Sequence, residues 1–319
     1  MSIWYSYEGI SKSAWLEKIT ADLKGKKVEG FYRHNAQGVE IQPWYHREDT
    51  DHAICIPGRT YDGVHLGCYL DDHITKYSQD YILDNLQGGC SFLHIVSSNL
   101  EDLETLYKDV HFEMISTVID LSEEKETRFI TSLKEGKDID FRVIDGASPL
   151  RLIDLRSAHE GQLKVFLEQA DKLMSATSDI EVICQVVFDH DYITTITQVM
   201  ALRLIWANLC EAYDKSHLTQ SLVIEGFVSD TIRTSEIHQD LISITQIMAA
   251  MFSADVDVIF PFHHSDQEED RRYIRQAYHV LTMEGHLGKV KAPYSGSYAL
   301  EKIAVNMAQK AWSDYSNSI

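Results

Sequence analysis

The sequence predicts an α/β fold, a TIM (β/α)8-type barrel, somewhat eroded, behind an N-terminal helical and extended arm. Three observations predict it. The chain has 319 residues, enough for one barrel of roughly 250 residues and an extension. From about residue 52 onward, short apolar runs alternate with helical segments, the order expected of strands and their covering helices. Proline and glycine are too sparse, at 5 and 16 residues, to mark a disordered linker, and low-complexity tracts are absent. Residues 1–51 are therefore expected to form the arm and residues 52–319 the barrel domain.

The elements follow in order. Residues 13–26 read as a helix, with Ala14, Ile19, Ala21 and Leu23 as buried candidates and Gly25 at its stop. The expected strands are 53–56, 91–96, 116–121, 141–144, 152–155, 182–188, 221–224 and 256–260. Helices are expected at 77–86, 100–108, 123–134, 162–174, 192–213 and 235–251. One connection breaks the pattern, because only Asp145-Gly146-Ala147-Ser148-Pro149 joins the fourth and fifth strands. A parallel crossover takes about a dozen residues, so either a helix is lost there or one of those strands is false. Near the end, Gly296 supplies a turn and Ser297 caps a helix. Leu300, Ile303, Ala304, Met307, Ala308, Ala311, Trp312 and Tyr315 then form its apolar face.

Charge restricts the partners. With 49 acidic and 29 basic residues the formal net charge is −20. Such a surface repels phosphate backbones and anionic lipids, which excludes nucleic acid and membrane surfaces as expected partners. Cys55, Cys68, Cys90, Cys184 and Cys210 lack CxxC spacing and are odd in number. They read as buried thiols of a reducing cytoplasm, not as disulfides or a zinc site. The N-terminus has no secretory pattern, and no apolar run is expected to span a membrane, so a cytoplasmic location is expected.

Several phrases point to a family. Near the C-terminus stand Arg271-Arg272, Arg275, Glu284-Gly285-His286-Leu287, Val290, Pro293, Gly296-Ser297-Tyr298, Glu301 and Ala311-Trp312. In the arm, Trp15 is followed by Asp22-Leu23-Lys24-Gly25 and Gly38-Val39-Glu40-Ile41-Gln42-Pro43-Trp44-Tyr45; a helix further on carries Arg203-Leu204-Ile205-Trp206-Ala207-Asn208-Leu209. Together these resemble the acyl-CoA-binding barrel of the methylmalonyl-CoA mutase family. Phe260-Pro261-Phe262 resembles the family's small subunit; the large subunit is rich in Gln and His there.

The resemblance implies a subunit of an adenosylcobalamin-dependent isomerase, whose holoenzyme interconverts methylmalonyl-CoA and succinyl-CoA by a radical 1,2-shift. It implies that this chain is the non-catalytic half of a heterodimer with a larger catalytic chain and is inactive alone. Family members bind the corrin on a separate C-terminal domain through Asp-x-His-x-x-Gly. This chain ends at Ile319 after the closing helix, so no cofactor is expected on it, and adenosylcobalamin is expected only in the complex. Two look-alikes depart from the motif. Asp62-Gly63-Val64-His65-Leu66-Gly67 places its histidine one residue late, and Asp71-Asp72-His73 ends in Lys76. Both read as surface polar residues.

One catalytic candidate remains. His159 falls where the large subunit's thioester-contacting histidine would stand, but Ala158 replaces the preceding tyrosine. Gln198-Val199-Met200 replaces a Lys-Leu-Arg, and Glu225-Gly226 occupies a strand end that cradles substrate in the family, where a carboxylate would repel an acyl-CoA. His263-His264 with Asp266, Glu268, Glu269 and Asp270 reads as a helix start, and no metal site is expected. The aromatic arm residues Trp4, Tyr5, Tyr7, Trp15, Trp44 and Tyr45 suit an interface. The alternative reading is a barrel that itself binds an acyl-CoA or adenosyl ligand, catalytic or regulatory, beside a separate cobalamin-binding chain.

Overall fold

A computed structural model of the chain describes residues 9–50, 58, 63–71, 78–97, 109–121, 141–145, 148–158, 161–229, 236–253, 255–261, 268–290 and 292–318. The arm begins with helix α1 (Lys12–Asp22), capped by the Ser11 side chain, and continues in a short antiparallel hairpin, β1 (Arg33–His34) and β2 (Glu40–Ile41). No residue of α1 is buried, against the expectation for Ala14, Ile19, Ala21 and Leu23. The reason is where the helix rests. Trp15 packs on Trp44 with ring centroids 4.0 Å apart, and Lys12 pairs with Asp49, so α1 lies on the arm and not on the barrel core. Val39, Ile41 and Tyr45, by contrast, pack into the main core.

Eight parallel strands follow: β3 (His65–Leu70), β4 (Phe92–Ser97), β5 (Ser116–Leu121), β6 (Phe141–Ile144), β7 (Leu150–Asp154), β8 (Glu181–Val187), β9 (Leu222–Phe227) and β10 (Val258–Phe260). Their order, β6-β5-β4-β3-β10-β9-β8-β7, is that of a TIM-type barrel opened at one seam. Helix α2 (Gln79–Gln87) follows β3, α3 (Gln162–Ala176) follows β7, α4 (Tyr192–Ala212) follows β8 and α5 (Glu236–Ser253) follows β9. After β10 come α6 (Glu268–His279) and α7 (Tyr298–Ser316). The expected strand at 53–56 and the expected helices at 100–108 and 123–134 lie outside the described residues.

Both strands flanking the short link exist, so the connection has no helix and neither strand is false. β6 and β7 lie beside each other without pairing. Ser148 fixes the return: its hydroxyl donates to the Val143 carbonyl (2.6 Å) and accepts from the Leu150 N–H (3.3 Å). Across the seam, Arg142 pairs with Glu181.

Alternation along the strands separates two cores. Leu66, Cys68, Leu70, Leu93, Ile95, Val182, Cys184, Leu222 and Ile224 face outward under the helices, whereas Phe92, Val118, Leu150, Ile183, Val223, Val258 and Phe260 fill the barrel. α4 is long and apolar enough to cross a membrane, contrary to the expectation that no such run exists. It is instead the central covering helix, with 78% of its apolar window buried against α3, α5 and α7. Val199 and Met200 lie in this helix, as expected, and are buried in the core. Cys68, Cys90, Cys184 and Cys210 are buried free thiols as expected, and burial pushes the Cys90 thiol up to about 12 and that of Cys210 to about 11. Cys55 lies outside the described residues.

Candidate functional site

The functional face of a (β/α)8 barrel is the C-terminal end of its strands. Here the axis at that end is occupied by side chains. Tyr69 from β3, Phe227 from β9 and Phe260 from β10 meet with centroids 5.2, 5.6 and 4.7 Å apart pairwise. Gly67 makes this possible, because a Cβ there would lie 2.3 Å from the Phe260 ring. Arg156, just past β7, lays its guanidinium over Tyr69 (4.7 Å) and Phe227 (5.0 Å), which adds cation–π attraction. Asp154 holds it in a two-pronged pair, at 3.0 Å to Nε and 2.8 Å to Nη2.

This pair tunes the groups around it. Burial alone would raise the Asp154 carboxyl, but hydrogen bonds and charge from Arg156 outweigh it and hold the group below the usual carboxylate range. Burial pushes the Tyr69 phenol up to about 12 despite the opposing pull of Arg156, so the plug is neutral at its centre. A depressed carboxyl stabilises the fold above its unfolded pKa of about 3.9 and loses that contribution as pH falls through the lower folded value. Thermal midpoints of wild type and Asp154→Asn should therefore differ by a constant amount above about pH 5 and converge below it. A gap that widens on acidification would contradict this sign.

Beneath the plug lies a polar cluster that was not anticipated. His94 on β4, Gln185 on β8 and Glu225 on β9 are each 0% exposed. His94 Nδ1 stands 2.8 Å from Glu225 Oε2 and 2.9 Å from Oε1, and Gln185 Nε2 donates to Oε2 at 2.8 Å. The carboxylate anticipated as a repellent strand-end charge is thus turned inward and taken up by two donors. The signal was a polar residue at one inward position of each of three apolar strands.

His159 lies outside the described residues, as do Cys55, Asp62, His73, His263 and His264. His65 is not a surface residue: it opens β3 half-buried, with Nδ1 2.8 Å from Ser91 Oγ and its ring beside Phe92. Among the described residues, no group of three or more His, Cys, Asp or Glu side chains could hold a metal.

The family-like polar residues that are described clamp elements together. Arg275 grips Asp84 of α2 with two bonds of 3.1 Å and Asn85 with a third, and Arg271 adds a bond of 3.3 Å to Asp84. Gly285 leaves room for the Leu281 carbonyl, 2.7 Å from where its Cβ would stand. Gly296, at φ +86, gives its N–H to the buried Glu301 carboxylate (2.7 Å), while Ser297 caps α7. Arg203 bridges α4 to Asp257, to the Asp255 carbonyl and to that of Leu222. Of the arm aromatics, Trp15, Trp44 and Tyr45 pack within the chain, and Trp4, Tyr5 and Tyr7 lie outside the described residues.

No family model matches the chain. It is similar to a protein named methylmalonyl-CoA mutase small subunit from Porphyromonas gingivalis (strain ATCC BAA-308 / W83). The two are 22% identical over an alignment of 383 residues that covers 95% of this chain. The chain spans 62% of the length of that relative. The similarity is distant and mutase-related.

Proposed function

We propose that this chain is a small-subunit-type barrel of an adenosylcobalamin-dependent methylmalonyl-CoA mutase, a non-catalytic partner of a larger catalytic chain. The observation that carries the reading is the occupied barrel axis. An enzyme of this kind needs that space for a thioester and for shielding a radical from solvent. Here Tyr69, Phe227, Phe260 and Arg156 stand in it. The distant likeness to a small subunit supports the same reading, as does the use of Arg203, Arg271, Arg275 and Glu301 as internal clamps. The corrin would belong to the partner.

Co-expression with a larger, corrin-binding mutase chain tests this. The expected result is co-elution of the two in size-exclusion chromatography, while titration of the isolated chain with methylmalonyl-CoA or adenosylcobalamin shows no saturable binding. Failure to associate at micromolar concentration would remove the partnership. Saturable acyl-CoA binding by this chain alone would favour the alternative of a ligand-binding barrel.

A further inference from the structure

We propose that the barrel interior holds a hydration site, a single water molecule bridging His94 Nε2 and Gln185 Oε1 beneath the aromatic plug. Each of these atoms is fully buried and has no hydrogen-bond partner among the described residues, although the opposite ends of both side chains are engaged. Buried polar atoms are seldom left in that state, and two in one cluster point to a shared occupant. Gln185 Nε2 and His94 Nδ1 are 3.5 Å apart, so the two groups are direct neighbours on the axis. Two hydrogen bonds through one oxygen span about 5.6 Å.

The chemistry selects the occupant. An anion is repelled by Glu225, which lies within hydrogen-bond distance of both side chains. A divalent cation requires about four to six ligands, and Glu225 already accepts from two donors. An apolar molecule would satisfy neither atom. With Nδ1 donating to Glu225, Nε2 of the neutral ring is an acceptor, and one water can donate to it and to the amide oxygen. The ring of Tyr69, 5.2 Å from that of His94, roofs the site, and Phe260 flanks it at 6.4 Å. The site does not depend on the mutase reading, because it rests only on these strands.

High-resolution diffraction from crystals of the intact chain decides the matter. The expected result is a solvent peak within about 3.2 Å of both atoms, and loss of that peak in Gln185→Leu. A wild-type map in which other buried waters are visible but this one is not would overturn the proposal. So would direct contact of His94 Nε2 with a protein group. Should the variant not fold, cross-relaxation between water and the His94 ring protons in the wild type gives a second readout. A long-lived contact is expected, and its absence counts against the site.

Discussion

Replacing Arg203 with Met should cost the fold about 3–5 kcal/mol, the usual penalty for removing one partner of a buried ion pair. Arg203 is 1% exposed. Its Nη2 lies 2.7 Å from Asp257 Oδ2 and 2.6 Å from the Asp255 carbonyl, Nε reaches the same carbonyl at 3.2 Å, and Nη1 donates to Leu222. One side chain thus ties α4 to the entry of both β9 and β10. Met would fill much of the volume but leave the Asp257 carboxylate with the Ile224 N–H, at 2.7 Å, and without its cation. Arg203→Lys keeps the charge and loses the planar fork, so an intermediate loss is expected. Against a total stability of about 5–15 kcal/mol the Met change removes about a fifth or more, and soluble yield should fall with it. Urea unfolding followed by far-UV circular dichroism measures the effect. A loss below about 1 kcal/mol would place Arg203 among ordinary surface pairs and remove the reading of the family-like arginines as clamps.

Much of the barrel was legible because parallel strands buried on both faces read as continuous apolar runs. β5 and β6 begin and end where expected, and α3 and α4 differ from expectation only at their C-terminal ends. β3 was missed. Its outward residues Leu66, Cys68 and Leu70 do alternate, but its inward ones are His65, Gly67 and Tyr69, and a histidine between glycines drew attention as a ligand motif. The glycine is small because Phe260 takes its space, a fact about a strand almost 200 residues away. The polar cluster was hidden for a related reason. His94 and Glu225 are 131 residues apart, and only closure of the barrel brings them within bonding distance. Similarity to a family identified Arg271, Arg275 and Glu301 without revealing what they do; their partners Asp84, Asn85 and the Gly296 N–H are visible only in three dimensions.

Glu225→Leu should be the most damaging change inside the barrel, by about 3–5 kcal/mol, because it leaves the His94 and Gln185 donors buried without their acceptor. The double change His94→Leu with Glu225→Leu should recover a large part of that loss. An apolar pair needs no desolvation of charge, and the surrounding Phe92, Val223, Val258 and Phe260 already form an apolar wall. A coupling of about 1–3 kcal/mol between the two sites is expected from the double-mutant cycle. The same variants bear on function. If the axis is a packed interior and the proposed partnership holds, the double variant should assemble with the larger mutase chain as the wild type does, and turnover of that complex should stay within a few-fold of normal. If His94 instead acts as an acid or base on a substrate, its loss should reduce turnover by about a hundredfold or more with the complex intact. The second outcome would return this barrel to the catalytic chains of its kind; the first would leave Glu225 and His94 as a tie across a barrel that has closed on its own side chains.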